Sequence, residues 1–122
     1  MKKILLIEDE SALQKTMGDA LSGEGYEVLS ALDGEVGIKL AKEKKPSLIL
    51  LDLVLPKMTG FEVLEQLQKD EETKRIPVIV LTNLENLQDI QRTTELGATT
   101  YLVKANYELA EVVEKVKAAI EQ

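Results

Sequence analysis

The chain has 122 residues, 44% of them hydrophobic, which is enough apolar material for one domain with a core of its own. Its 22 acidic against 15 basic residues give a formal charge of -7, which argues against nucleic-acid binding, because phosphate contacts need clustered Lys and Arg. With no cysteine and no histidine, disulfides, thiolate metal sites, Cys nucleophiles, Ser-His triads and His phosphocarrier chemistry are excluded, and carboxylate, hydroxyl and Lys chemistry are left.

From Met1-Lys2-Lys3 the chain runs directly into Ile4-Leu5-Leu6-Ile7, an apolar run that reads as a first strand and stops on Glu8-Asp9. The run is too short for a signal sequence and no stretch approaches a membrane span, so the expected compartment is the cytoplasm. Residues 11–22 read as the first helix, with Ser11 and Gln14 spaced as a capping box and Leu13, Met17, Ala20 and Leu21 on one face. Gly23 and Gly25 end it. Residues 26–31 form a mixed strand, 35–44 a short helix, and 47–51 an apolar strand that stops on Asp52. Phe61, Leu64 and Leu67 mark a third helix, and Val78-Ile79-Val80-Leu81 a strand that stops on Thr82. Residues 86–96 predict a fourth helix with only Leu87, Ile90 and Leu96 as larger apolar anchors, hence a loosely packed one, capped by Gly97. Tyr101-Leu102-Val103 stops on Lys104, and residues 107–120 form the last helix, with Leu109, Val112, Val113, Val116 and Ile120 facing the sheet. Glu43-Lys44-Lys45 and Asp70-Glu71-Glu72 read as solvated charge runs.

Apolar runs alternating with helical segments are the pattern of βα units around a parallel sheet. Runs one, three and four are continuously apolar, as interior strands covered on both faces should be, whereas two and five are mixed, as edges can be. The expected fold is α/β, a doubly wound, flavodoxin-like five-stranded parallel sheet of order 2-1-3-4-5 with helices on both faces. All strand C-termini then lie on one edge, where open α/β sheets bind ligands. Three carboxylates, a hydroxyl and an ammonium meet there.

Glu8, Asp9 and Asp52 at one edge would place three negative charges within a few ångströms, a costly arrangement unless something positive joins them. Oxygen donors with open water positions suit magnesium, or manganese in its place. A divalent ion together with Lys104 would balance the three carboxylates, so that an incoming phosphoryl dianion is no longer repelled. Asp52 can then act as a nucleophile toward phosphorus and form an acyl phosphate. Lys104 would pair with the transferred oxygens and the Thr82 hydroxyl would donate to one of them.

These residues resemble the receiver domain of two-component response regulators along the whole chain, 1–122. The resemblance rests on the acidic pair after strand one, on Asp52 followed by Leu53-Val54-Leu55-Pro56-Lys57-Met58-Thr59-Gly60, on Thr82 after strand four and on Lys104 after strand five. It implies that Asp52 is the phosphoacceptor, that Asp9 and the backbone carbonyl of Val54 bind Mg²⁺, and that Glu8 acts through metal-bound water. Thr82 and Tyr101 would be the switch pair, with Tyr101 swinging from exposed toward buried once a phosphoryl oxygen draws Thr82 inward. Such a chain is a signalling phosphoacceptor that carries out its own phosphotransfer, with a histidine kinase or phosphotransfer protein as donor. Its output would pass through the face of helix 4, strand 5 and helix 5 to an effector protein, a fused output domain or a second copy of the chain. It would be either a stand-alone receiver or a segment of a longer regulator.

The chain departs from that pattern in places. Ala105 stands where receivers usually have a proline preceded by a cis bond, and a cis bond before alanine would cost roughly 2.5–4 kcal/mol, so either the site holds that strain or Lys104 approaches differently. Asn83 replaces a small residue and would crowd the phosphate or add a donor. Val54 and Leu84 are apolar where they would flank the path of a hydrolytic water, so slow autodephosphorylation is expected. A phosphohydrolase using an Asp nucleophile would want a second acid two residues on, where Val54 stands. A nucleotide or flavin binder would want a phosphate loop where Glu8-Asp9-Glu10 would repel it. The competing reading is a receiver-like interaction module that takes no phosphate.

Overall fold

The central strands are short runs of Ile, Leu and Val whose successive side chains point to opposite faces, so a run buried throughout must be covered by helices on both sides. In the computed structural model, which describes residues 1–121, the five strands are β1 (Lys3–Ile7), β2 (Glu27–Ala31), β3 (Leu48–Leu51), β4 (Val78–Thr82) and β5 (Thr100–Val103). Between and after them come α1 (Ser11–Gly23), α2 (Gly34–Lys44), α3 (Gly60–Lys69), α4 (Leu87–Glu95) and α5 (Leu109–Ile120). All strand pairs are parallel and the order is β2-β1-β3-β4-β5, as the apolar patterning predicts. Every residue of β3 and β4 is buried, whereas β2 and β5 are only partly covered.

The alternation divides the core in two. Ile4 and Leu6 of β1 join Leu48, Leu50, Ile79 and Leu81 against Met17 and Leu21 of α1 and Val112, Val116 and Ile120 of α5. Leu5 and Ile7 join Ile49, Leu51, Val78 and Val80 against Ala41 of α2 and Phe61, Leu64 and Leu67 of α3. At roughly 1.5–3 kcal/mol for each fully buried large aliphatic side chain, these two layers hold the sheet rigid beneath its C-terminal edge. No helix among the described residues is long and apolar enough to cross a membrane.

Two local expectations change. Ser11 is the first residue of α1, not its cap; Glu10 precedes it in extended conformation and no side chain caps the helix, so the Ser11–Gln14 capping box is absent. The Gln14 amide is drawn inward instead, because buried backbone carbonyls at the end of the sheet offer it stronger demand than an exposed helix end. α4 is shorter than the predicted 86–96, with the Asn86 side chain capping it by accepting from the N–H groups of Gln88 and Asp89. Only Thr93 of α4 is buried and Leu87 is 80% exposed, so this helix is held lightly, in part by Arg92 lying 4.3 Å from the Phe61 ring centre.

Candidate functional site

Parallel register brings the polar strand ends together: Ile7 of β1 lies beside Leu51 of β3, which lies beside Val80 of β4. The Asp52 N–H continues the ladder to the Ile7 carbonyl at 3.0 Å, which sets Asp52 next to Glu8. Glu8, Asp9, Asp52, Val54, Thr82, Asn83 and Lys104 line one cleft of about 260 Å³. All the predicted site residues except Tyr101 therefore meet in one place.

Lys104 reaches over the edge from the end of β5 and binds two carboxylates at once, Glu8 Oε1 at 2.7 Å and Asp52 Oδ2 at 2.9 Å. The second Asp52 oxygen accepts from the Val54 N–H at 3.2 Å, and Glu8 Oε2 accepts from the Glu10 N–H at 3.1 Å. Burial pushes the Glu8 carboxyl above its ordinary pKa, outweighing the pull of Lys104 and the Glu10 N–H, and the Asp52 charge adds to the rise. Burial also works against the Lys104 ammonium, yet its hydrogen bonds to Glu8 and Asp52 outweigh that and hold it above the usual lysine value. One ammonium against three carboxylates leaves the cleft short of positive charge.

That shortage makes the cation question concrete. Glu8, Asp9 and Asp52 each offer an oxygen, and these atoms lie within 4.8 Å of one another. An all-oxygen, carboxylate-rich donor set with Asp9 open to solvent fits a hard divalent ion that keeps several waters, such as Mg²⁺. No peptide bond among the described residues is cis, so Lys104 reaches its partners through a trans bond to Ala105, and Lys104–Asn106 form a 3₁₀ turn.

Thr82 closes the far wall. It is completely buried, and its Oγ1 is the one buried side-chain polar atom among the described residues with no hydrogen-bond partner. An unmade buried hydrogen bond costs about 1–3 kcal/mol. Thr82→Val, which keeps the shape and removes the hydroxyl, is therefore expected to raise the stability of the free chain by about 1 kcal/mol in urea denaturation. The same variant should gain less thermal stability than the parent from Mg²⁺ with beryllofluoride; an equal gain would show that the hydroxyl has no ligand to serve. Tyr101 stands on β5 beside Val80, two residues before Thr82 on β4. Its ring is half-buried and its hydroxyl donates to the Leu84 carbonyl at 2.7 Å, so here it is turned inward, where the sequence reading started from an exposed ring. That bond ties β5 to the loop between β4 and α4.

The loop after Asp52 is shaped by residues whose role the motif alone does not explain. Lys57 adopts a left-handed conformation, with φ of 68°, and Thr59 and Glu62 form a reciprocal capping box that starts α3. Gly60 folds back so closely that an added Cβ would lie 2.5 Å from both the Asp52 carbonyl oxygen and the Leu53 Cα. Because backbone cannot give way as a side-chain tip can, Gly60→Ala is expected to cost about 1–3 kcal/mol and to displace the segment carrying Asp52. Urea denaturation checks the stability and Mg²⁺ titration the displacement; unchanged values for both would mean that the loop is looser than its contacts imply.

Sequence reasoning missed Gln14 as part of this site. The only signal was a polar residue on the buried face of α1, three positions before Met17. The model of the response regulator receiver domain family matches residues 4–117. The chain belongs to that family. RpaA of Synechocystis, a DNA-binding dual master transcriptional regulator, is 40% identical over 120 residues, which are 98% of this chain and 49% of that protein. This receiver thus spans about half the length of the first curated relatives it matches. A CheY-like receiver from Methanospirillum hungatei superimposes with a TM-score of 0.90 at 28% identity, covering 99% of this chain and 94% of that one. The receiver domain of a sensor histidine kinase from Pseudomonas aeruginosa, with a magnesium ion coordinated in its active-site cleft, gives 0.88 at 27% identity over 99% and 98%. The receiver of the present chain is thus a module of two-component signalling.

Proposed function

We propose that this receiver is phosphorylated on Asp52, with Glu8, Asp9, Asp52 and the Val54 carbonyl holding Mg²⁺ or Mn²⁺ and with Thr82 and Lys104 binding the phosphoryl oxygens. The observation that carries the reading is the unpartnered Thr82 hydroxyl in the wall of the cleft that holds Asp52 and Lys104. A fold rarely leaves such a group unsatisfied without a use for it. When bound, a divalent ion would lower the repulsion between the cluster and an incoming phosphoryl group.

The chain's own residues do the rest. One Asp52 oxygen attacks phosphorus, the bond from phosphorus to the donor's imidazole nitrogen or acyl oxygen breaks, and the donor leaves with that electron pair. Lys104 moves its charge from the carboxylate to the transferred oxygens, and Thr82 turns its hydroxyl toward one of them. The donor is a histidine kinase or a phosphotransfer protein in the cytoplasm. Drawing Thr82 toward the phosphoryl group changes the space behind it, where Tyr101 sits against the Leu84 carbonyl. The lightly held α4, with β5 and α5, is the face through which an effector, an output domain or a second copy would read the change. With Val54 and Leu84 in place the acyl phosphate should persist for minutes or longer.

Intact-mass spectrometry after acetyl phosphate with Mg²⁺ tests the reading: one phosphoryl group should be added, and a chelator should prevent it. No mass gain in the presence of Mg²⁺ would favour the interaction module that takes no phosphate. Mg²⁺ alone at a hundred times its dissociation constant is expected to stabilise the chain by about 2.7 kcal/mol, visible as a higher thermal midpoint. A midpoint independent of Mg²⁺ would remove the metal from the account.

A further inference from the structure

At the ends of β1 and β2 three backbone carbonyls converge on one side chain. Gln14, on α1, is 8% exposed. Its Nε2 lies 2.7 Å from the Ala31 carbonyl oxygen, 3.0 Å from that of Glu8 and 3.4 Å from that of Leu6. Three acceptors around one nitrogen fix the orientation of the amide, since its oxygen would repel all of them. The two N–H groups serve chiefly Ala31 and Glu8, and Leu6 takes the weakest share.

We infer that Gln14 is a positioning residue for the acidic cluster: by clipping the Glu8 carbonyl to the end of β2 it sets the divalent-cation affinity of the site made by Glu8, Asp9 and Asp52. The inference rests on the metal reading above and adds the residue that orients it. The Glu8 carbonyl and the Asp9 nitrogen belong to one planar peptide unit, so holding that oxygen fixes the chain where the two acidic side chains diverge. The Glu8 N–H is also tied to β2, through the Ala31 carbonyl at 3.0 Å, so Glu8 is clamped from both sides. Asp9 is exposed, and the direction of its carboxylate depends on the backbone that precedes it. Gln14 thus acts on the carboxylates through the main chain, as outer partners of metal ligands do.

Isothermal titration of the full chain with MgCl₂ tests this, using Gln14→Met and Gln14→Leu, either of which suffices if the other does not fold. Each removes the donor at similar volume and is expected to weaken Mg²⁺ binding about tenfold. Gln14→Arg keeps N–H donors and should bring the affinity back toward that of the parent. Met17→Ala, one turn along the same buried face, should lower the thermal midpoint without weakening Mg²⁺ binding. Amide exchange at Asp9 and Glu10 should quicken in the two apolar variants and not in Met17→Ala. Parent-like affinity in the apolar variants, or an equal loss in Met17→Ala, overturns the role of Gln14 alone. A parent chain that binds no Mg²⁺ overturns the metal reading together with it.

Discussion

Lys104→Met is expected to slow phosphorylation by acetyl phosphate by about 10²–10³-fold, the usual range for removing one fixed donor from a site where charge develops. The ammonium is the only cation in contact with Asp52 among the described residues, and it bridges Asp52 to Glu8 at 2.9 and 2.7 Å. The carboxylates it serves are almost wholly buried, with 7% and 3% of their side-chain surface exposed. Leaving them without it should also destabilise the free chain, by about 3 kcal/mol at neutral pH. The pH dependence has a definite sign. Glu8 already titrates above the glutamate value of 4.5, and without Lys104 it should do so further. A carboxyl whose folded pKa is raised costs stability above that pKa, and the cost disappears as pH falls toward the unfolded value. The variant should therefore recover stability relative to the parent between pH 7 and about 4.5, in urea denaturation followed by circular dichroism. A constant deficit across that range would mean that the loss comes from packing of the Lys104 stem, not from charge.

Asp52→Asn should abolish phosphoryl labelling entirely. The amide keeps the size of the side chain and an oxygen to accept from the Val54 N–H, so the loop should hold its shape, but the amide is not a nucleophile toward phosphorus. It also removes one of the three carboxylates that crowd the cleft, so the free variant should be at least as stable as the parent despite weaker pairing with Lys104. Intact-mass spectrometry and denaturation measured on the same sample separate the two effects. Residual labelling at the parental rate would place the acceptor elsewhere.

The sheet was legible because its signal is redundant. The uninterrupted apolar runs within β1, β3 and β4 demand two covering layers, and parallel connection then fixes which strand ends share an edge. The polar residues that stop those runs therefore share that edge. What escaped was the local choice among hydrogen-bond partners. Ser11 and Gln14 satisfy the spacing of a capping box, yet the Gln14 amide finds three buried carbonyls whose need outweighs that of an exposed helix end. The pose of Tyr101 escaped for a similar reason, since its partner is the carbonyl of Leu84 seventeen residues away, on a loop whose path no periodicity reports. Thr82 stands at the end of β4, but strand spacing does not tell that its hydroxyl lacks a partner. The tight approach of Gly60 to the Asp52 carbonyl likewise depends on a loop conformation that spacing does not encode.

The central claim is that anionic oxygens at one sheet edge accept a phosphoryl group at Asp52 only once a divalent ion has joined Lys104. Peptide mapping by tandem mass spectrometry, after acetyl phosphate with and without Mg²⁺, reads acceptor and metal dependence in one measurement. The account predicts a single hydroxylamine-labile phosphoryl group on the peptide containing Asp52, present only with the metal. Labelling on a different residue, or equal labelling of Asp52 under chelation, would contradict it.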